Sequence, residues 1–190
     1  GTIVFTKVNL CIKYGNSPLA AKAYADYAML LCGSTGGIDA GYRYGELALQ
    51  LLDKFNAKEV RCQVLNMFNT HIRPWKEPLR KTIEPLSAAV QSGIEAGDLI
   101  FMGVASINYC THTFFQGEPL EQLANNCEQY LSLAVKYQQG YTVTFLQLFQ
   151  QVYLNLLGRS TSPVKIIGAA FDESNLLPTL KQDNNLVAIF

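Results

Sequence analysis

Apolar residues recur every three or four positions along most of this chain, which is the spacing that places them on one face of an α-helix. The clearest example is residues 36–55, which read GGIDAGYRYGELALQLLDKF. One face of this predicted helix is polar and comprises Asp39, Arg43, Glu46, Gln50 and Asp53. A second face starts with small residues and ends with bulky ones, and comprises Gly41, Gly45, Ala48, Leu52 and Phe55.

Two glycines one turn apart inside a helix need a physical reason, because each costs about 1 kcal/mol relative to alanine. Close approach of a neighbouring helix offsets that cost, since the absent side chain lets two backbones pack together. Gly41 and Gly45 therefore predict tight helix–helix packing, which is typical of proteins built from repeated helix pairs.

The same periodicity predicts helices along the rest of the chain. We expect them at residues 2–14, 18–32, 58–72, 78–96, 99–115, 119–139, 142–157 and 173–181. The predicted pairs begin at Pro18, Lys58, Asp98 and Thr142, which are 40, 40 and 44 residues apart. Helix pairs at a period of roughly 34 to 47 residues indicate an α-solenoid. We therefore predict an all-α protein, an α-α superhelix that forms a single domain over residues 1–190.

Local residues predict where several helices begin, bend and end. Ser17 before Pro18 predicts a helix start with a hydroxyl N-cap. Pro85 predicts a kink within a helix. Two further predicted N-caps are Asp98 and Asp183. The glycines that we expect to end helices are Gly15, Gly97, Gly117, Gly140 and Gly158. Residues 159–172 are predicted to form a loop with an extended VKII stretch.

Composition and charge narrow the class of protein. The chain is 49% hydrophobic and carries 15 basic and 15 acidic residues, so its formal net charge is zero. A neutral chain offers no overall attraction to nucleic acid or to an anionic membrane. Two uncharged runs, residues 99–115 and 137–158, contain polar amides or threonines and are expected to be buried helices rather than membrane spans. No export signal is visible, so we expect a cytoplasmic protein.

Candidate chemical groups are few and poorly spaced for catalysis or metal binding. Five widely spaced cysteines in apolar helical stretches predict buried, reduced thiols, at Cys11, Cys32, Cys62, Cys110 and Cys127. Cys110 and His112 lie two positions apart on a helix, so they point to different sides. Residues 33–37, GSTGG, lack the Lys-Ser/Thr and the preceding strand of a phosphate-binding loop. We expect no metal, no cofactor, no ATP binding and no enzymatic activity in this segment.

Polar positions on the first helices of the second and third pairs form a candidate binding surface. These positions are Asn66, Asn69, Arg73, Asn108, Thr111 and His112. First helices line the concave surface of a helix-pair superhelix, where such side chains can hydrogen-bond an extended peptide or a ligand. The alternative is that these groups hydrogen-bond one another or water.

The only tryptophan lies among basic residues in the segment HIRPWK, residues 71–76. Tryptophan and arginine are enriched at interaction hot spots. The alternative is that Trp75 packs the corner between two helices, with solvated charges around it. Residues 54–81 carry seven Lys or Arg against two acidic residues, and this uneven charge can guide the docking of a partner.

Several motifs together resemble a known family. They are YGNSP at 14–18, GIDAGYRYGELALQLL at 37–52, IRPWKEPL at 72–79 and SGIEAGD at 92–98. Residues 36–52, with small residues at Gly41 and Ala48, look like the second helix of a tetratricopeptide repeat (TPR). The whole set is similar to the TPR-like helical region of large bacterial multidomain signalling proteins. In those proteins a serine/threonine kinase and an AAA/STAND-type ATPase precede the helical region, and GAF and histidine-kinase or related output modules follow it.

The resemblance implies a non-catalytic segment of a bacterial signal-transduction protein, such as a sensor kinase or STAND-type regulator. Its role would be to link the ATPase to sensory and output modules and to bind a protein, peptide or effector on its curved surface. The 40-residue period exceeds the 34 residues of an ordinary tetratricopeptide repeat, so peptide-contact positions cannot be transferred. One alternative is a free-standing TPR-like scaffold that binds a separate protein. Another is a helical hydrolase, against which the lack of a nucleophile–base pair argues.

The last residues indicate that the helical region continues. Residues 186–190 are apolar and follow the predicted cap at Asp183, yet the sequence ends after barely one turn. We expect the natural protein to continue as a helix here, which leaves an apolar end that can pair two copies into a homodimer. A stop codon directly after Phe190 would contradict this expectation.

Overall fold

The computed structural model of this protein describes residues 2–182, without the side chains of Thr179 and Leu180. These residues are mainly helical, and an isolated antiparallel bridge joins Ile167 to Asp172. The α-helices are α1 (Thr2–Tyr14), α2 (Ala20–Ser34), α3 (Ile38–Phe55), α4 (Lys58–His71), α5 (Ile83–Ala96), α6 (Leu99–Gln116), α7 (Leu120–Lys136), α8 (Gly140–Leu156) and α9 (Glu173–Gln182). Two 3-10 turns, Arg73–Trp75 and Leu79–Thr82, lie between α4 and α5. The all-α prediction is confirmed. The predicted cap at Asp183 and the apolar residues 186–190 lie outside the described residues.

The predicted pair starts agree with the structure to within two residues, since the corresponding helices begin at Ala20, Lys58, Leu99 and Gly140. Asp98 caps α6 as predicted, because its Oδ1 accepts a hydrogen bond from the backbone N–H of Phe101 (3.4 Å). Four of the predicted helix-ending glycines adopt the left-handed backbone that favours this role, namely Gly15, Gly97, Gly117 and Gly158.

The predicted hydroxyl cap at Ser17 is wrong. The backbone carbonyl of Ser17, and not its hydroxyl, accepts a hydrogen bond from the N–H of Ala20 (2.9 Å). The capping position of α2 is Leu19, which makes no side-chain capping bond. A turn therefore precedes α2, and Pro18 lies in that turn rather than at the first helical position.

Two further local predictions are wrong. The helix predicted from residue 78 becomes α-helical only at Ile83, because Leu79–Thr82 is a 3-10 turn. Pro85 is therefore the third residue of α5, where its missing N–H would have no acceptor within the helix, so the predicted kink has no hydrogen-bond cause there. Gly140 begins α8 instead of ending α7. The break after α7 occurs at Gln138, which has a left-handed backbone with φ of 56°.

The chain divides into two compact units, residues 1–112 and 113–190. In the first unit, α2 packs most extensively against α3, and α4 packs against α5, so consecutive helices form pairs. α2 also packs against α4, which places the first helices of these two pairs side by side, and α1 packs against α2. The single domain and the superhelix that the repeat spacing predicts stay predictions.

The glycines of α3 lie where neighbouring helices approach closely. A Cβ atom on Gly41 would lie 2.5 Å from Sγ of Cys32 and 2.9 Å from the carbonyl oxygen of Ala28, both in α2. A Cβ atom on Gly45 would lie 2.6 Å from the ring of Phe68 in α4. All three distances are shorter than a real Cβ contact, so the predicted close approach is confirmed. The predicted polar face of α3 is exposed along its whole length.

In the second unit, α7 packs against α8, and buried amides of α8 anchor the loop that follows it. Oε1 of Gln151 accepts hydrogen bonds from the backbone N–H groups of Ala170 (3.1 Å) and Phe171 (3.4 Å). Nε2 of Gln151 donates to Oδ1 of Asn155 (2.9 Å), and Nδ2 of Asn155 donates to the carbonyl oxygen of Lys165 (2.7 Å). The loop is therefore tied to α8 at two separate points.

Candidate interaction site

The six polar residues predicted to bind a peptide all lie in the first unit. Asn66 and Asn69 are on α4, Arg73 follows in the first 3-10 turn, and the other three are on α6. The buried members of this set are Asn66, Asn69 and His112, and the half-buried members are Arg73, Asn108 and Thr111. Each of the six makes a hydrogen bond within the chain. A ligand would therefore have to exchange or add to existing hydrogen bonds.

Asn66 and Asn108 link two helices, whereas Asn69 and Thr111 bond to carbonyls of their own helices. Nδ2 of Asn108 donates to Oδ1 of Asn66 (2.9 Å), which joins α6 to α4. Nδ2 of Asn69 donates to the carbonyl oxygen of Leu65 (2.7 Å), and the hydroxyl of Thr111 likewise bonds to a carbonyl of its own helix. Such bonds satisfy polar groups that are removed from water. Peptide binding by these residues stays a prediction.

His112 forms a buried contact with the second 3-10 turn. Its Nδ1 lies 2.7 Å from Oγ1 of Thr82, and that hydroxyl also lies 2.7 Å from the carbonyl oxygen of Leu79. The hydroxyl has one proton, so when it donates to the carbonyl, Nδ1 of His112 donates to the hydroxyl. Burial lowers the pKa of His112, and the charge of His71 lowers it further. The neighbouring Cys110 is buried as predicted.

The segment between α4 and α5, residues 72–82, forms a corner of the structure. Arg73 is the centre of a cluster of polar side chains at this corner. Its Nε donates to Oε1 of Glu77 (3.1 Å), and one terminal nitrogen donates to Oδ1 of Asn69 (2.8 Å) and to the carbonyl oxygen of Lys81 (3.0 Å). The guanidinium carbon lies 4.9 Å from the centre of the Phe68 ring, at the distance of a cation–π contact. These contacts fix the turn relative to the end of α4.

Glu77 connects the same corner to α3. Its carboxylate accepts a hydrogen bond from the hydroxyl of Tyr42 and forms an ion pair with Nζ of Lys81 (2.8 Å). The bond from Lys81, followed by the bond from Tyr42, lowers the pKa of Glu77. Burial, followed by the bond to Glu77, raises the pKa of Tyr42 to about 12. At neutral pH an ionised carboxylate therefore accepts from a neutral phenol. A more exposed contact, the ion pair between Lys76 and Asp39, also joins the corner to α3.

Trp75 lies at this corner with much of its side chain in solvent. Its indole Nε1 donates to the carbonyl oxygen of His71 (3.1 Å), so the ring is held at the end of α4, yet the residue is 55% exposed. The ring borders a pocket of about 460 Å³. The other lining residues are Met29, Gly33, Thr70, His71 and Pro74. Trp75 is thus bonded to the end of α4, and its exposed ring presents an aromatic surface beside this pocket.

The described residues contain no group of three or more His, Cys, Asp or Glu side chains that could hold a metal ion. The glycine-rich residues 33–37 connect the end of α2 to the start of α3, with the hydroxyl of Thr35 bonded to the carbonyl of Leu31. Within residues 2–182, no helix combines the length and the apolar character that crossing a membrane requires.

Comparisons of the chain with protein-family models, with curated proteins and with solved structures give no match. Two residues of the polar cluster at the corner, Tyr42 and Glu77, were not predicted from the sequence. Glu77 follows Arg73 at the i, i+4 spacing of an ion pair, which is a usable signal. The 35-residue separation of Tyr42 and Glu77 has no periodic signature.

Proposed function

We propose that this chain is a non-catalytic, TPR-like helical segment of a bacterial signal-transduction protein and that it binds a protein partner. The partner is a neighbouring module of the same polypeptide, so that the segment links an ATPase to sensory or output modules. The α-α superhelix and the cytoplasmic location are parts of this proposal. The observation that carries it is the exposed Trp75 on a corner that polar contacts hold in place.

A fixed aromatic surface suits protein binding for two physical reasons. Tryptophan buries a large area when a partner covers it, and it is enriched among the residues that dominate interface energies. Because the Nε1–H bond to His71 and the Arg73–Glu77 ion pair already order the corner, little conformational entropy is lost on docking. Exposed basic residues, including Lys76 and Arg80, follow Trp75 in the sequence and can supply a polar rim to such an interface.

The packing of the first unit supports the repeat part of the proposal. α2 contacts both its own partner α3 and the next first helix α4, and α4 in turn pairs with α5. In helix-pair solenoids each repeat likewise packs against its neighbours, and the stacked repeats present extended binding surfaces. The resemblance of residues 37–52 and 72–79 to bacterial signalling proteins supports the choice of an ATPase and of sensory or output modules as the neighbours.

Calorimetric titration tests this function. The polypeptides encoded directly before and after the segment would be produced separately, and each would be titrated into this chain. We expect saturable heat with at least one of them. Trp75→Ala should raise the Kd at least tenfold, which corresponds to about 1.4 kcal/mol. The matched control is Tyr141→Ala, which removes an exposed aromatic of the second unit and should leave the Kd unchanged.

The outcomes separate the alternatives. No saturable heat with either flanking polypeptide would contradict the linking role. Binding that Trp75→Ala and Tyr141→Ala weaken equally, or not at all, would move the interface away from the corner.

A further inference from the structure

The helix α1 presents a second exposed apolar surface, on residues that the Trp75 corner does not use. Val8 is the only residue of α1 that is buried in the described structure. The large apolar side chains of α1 that remain at least half exposed are Ile3, Phe5, Leu10, Ile12 and Tyr14. Leu19, at the start of α2, is 64% exposed. At about 100° per residue, Ile3, Leu10 and Tyr14 share one side of α1, whereas Phe5 and Ile12 lie on the opposite side. The exposed apolar stripe that includes Leu10 marks an interaction site.

A groove of about 410 Å³ lies beside this surface, between α1, α2 and α4. Its apolar lining comprises Leu10, Cys11, Leu19, Ala20, Ala23 and Val60. Ala20 and Ala23 are three positions apart and therefore lie on one face of α2. Because their side chains are short, an element entering the groove can approach α2 closely. The groove can therefore receive the apolar face of an incoming element.

The charge beside the groove is positive. The charged residues that line the groove are Lys7 and Lys22, and no acidic residue lines it. Lys22 already forms an ion pair with Asp26. Lys7 is exposed and lines the groove, where it can pair with a carboxylate of an incoming chain. A second copy packed through α1 would bring these lysines against the same lysines, so the charge disfavours self-association.

We propose that this groove binds an amphipathic α-helix of a partner, with one apolar face and acidic residues along its flank. The inference rests on the proposed function, because it names the chemistry of a partner for a protein-binding segment. The apolar face of the partner packs against Leu10, Leu19 and Val60, and a flanking carboxylate pairs with Lys7. This is helix-in-groove recognition, in which apolar anchors recur at i, i+3, i+4 and i+7.

The concave shape favours a helix over a lipid surface. Side chains that project from one face of a helix can enter a groove of about 410 Å³ and reach Ala20 and Ala23. A bilayer surface would instead contact the protruding residues of α1, such as Ile3 and Tyr14, and leave these two alanines uncovered.

Fluorescence anisotropy with two labelled 16-residue peptides tests the proposal. Both peptides carry leucine at i, i+3, i+4, i+7 and i+11, and the flanking positions are glutamate in one and lysine in the other. We expect the acidic peptide to bind at least tenfold more tightly than the basic one. Lys7→Glu should reverse this preference. Lys13→Glu is the matched control, because Lys13 lies about 120° from Lys7 around α1 and should leave the preference unchanged.

Each other outcome overturns the proposal. Equal binding of the two peptides, or binding of neither, would remove the acidic helix as the occupant. Binding of phosphatidylglycerol vesicles without binding of the peptides would assign the face to a membrane. A concentration-dependent dimer that Leu10→Asp abolishes would assign it to a second copy. Because Trp75 does not line the groove, failure here and failure of the calorimetric titration at the corner are distinguishable.

Discussion

Gly45 of α3 lies directly against Phe68 of α4, because a Cβ atom built on the glycine would lie 2.6 Å from Cδ2 of the ring. The ring cannot easily move away. Phe68 is fully buried, and its ring centre is 5.7 Å from that of Tyr42. Ile72 closes another side of the same space, at 3.2 Å from the built Cβ. The absent side chain at Gly45 is therefore what lets α3 close against α4.

Replacing either close-approach glycine by leucine should destabilise the protein. Gly41→Leu and Gly45→Leu force an isobutyl group into occupied space, and such overpacking lowers the free energy of unfolding by about 1–3 kcal/mol. Gln50→Leu is the control, because Gln50 is exposed on the same helix and should change stability by less than about 0.5 kcal/mol. Urea melts measure all three. Glycine variants as stable as the parent would show that the helix register is wrong.

The corner should depend on the charge of Glu77. Glu77→Gln keeps the shape of the side chain but removes its ion pairs with Arg73 and Lys81, so we expect a loss of about 1–3 kcal/mol in unfolding free energy at pH 7. Asp53→Asn is the matched control, because the Asp53–Arg61 pair is exposed and should contribute less than about 1 kcal/mol. Equal effects of the two changes would mean that the corner is not specially stabilised.

Stability should fall on mild acidification because of His112. Burial lowers its pKa in the folded state below the ordinary value of about 6.5, so the unfolded state binds the proton more readily. The contribution is present above pH 7 and is lost as the pH falls below 6.5. Urea melts at pH 7.5 and 5.5 in a His71→Gln background should show this decrease, and His112→Asn should reduce it. An imidazole pKa of 6.5 or above by NMR would contradict the account.

The loop after α8 should depend on one buried amide. Gln151→Leu removes the acceptor of the Ala170 and Phe171 N–H groups, which leaves buried donors without a partner and costs about 1–3 kcal/mol. Hydrogen exchange at these two amides should accelerate at least tenfold. Gln147→Leu, one turn earlier on the same helix, is the control and should leave both exchange rates unchanged. Unchanged exchange in Gln151→Leu would show that other contacts hold the loop.

The sequence predicts the helices well because their signals are local. Apolar residues every three or four positions, and glycines such as Gly97 and Gly158 with a left-handed backbone, act within one or two turns of chain. The errors also arise locally. Gln138 adopts the same left-handed backbone without being glycine, so the helix end that it marks is not visible from composition, and the sequence instead predicts that Gly140 ends the helix.

The candidate site was less predictable because it depends on contacts between distant residues. Trp75 and Arg73 stand out by residue type, but nothing in the pattern around Tyr42 indicates that its hydroxyl reaches Glu77. Likewise, Asn66 and Asn108 share a polar face in the pattern, and only the packing of α4 beside α6 shows that they bond to each other. Tertiary proximity decides which polar residues are satisfied and which surface stays exposed.

Site-specific photocrosslinking in the full-length natural protein tests the central claim most directly. Benzoylphenylalanine would replace Trp75 in one variant and Tyr141, the exposed aromatic of the second unit, in another. After irradiation in cells, mass spectrometry identifies the crosslinked peptides. The account predicts that position 75 crosslinks to another module of the same polypeptide and that position 141 gives no such product. No protein crosslink at position 75, or the same products from both positions, would contradict it.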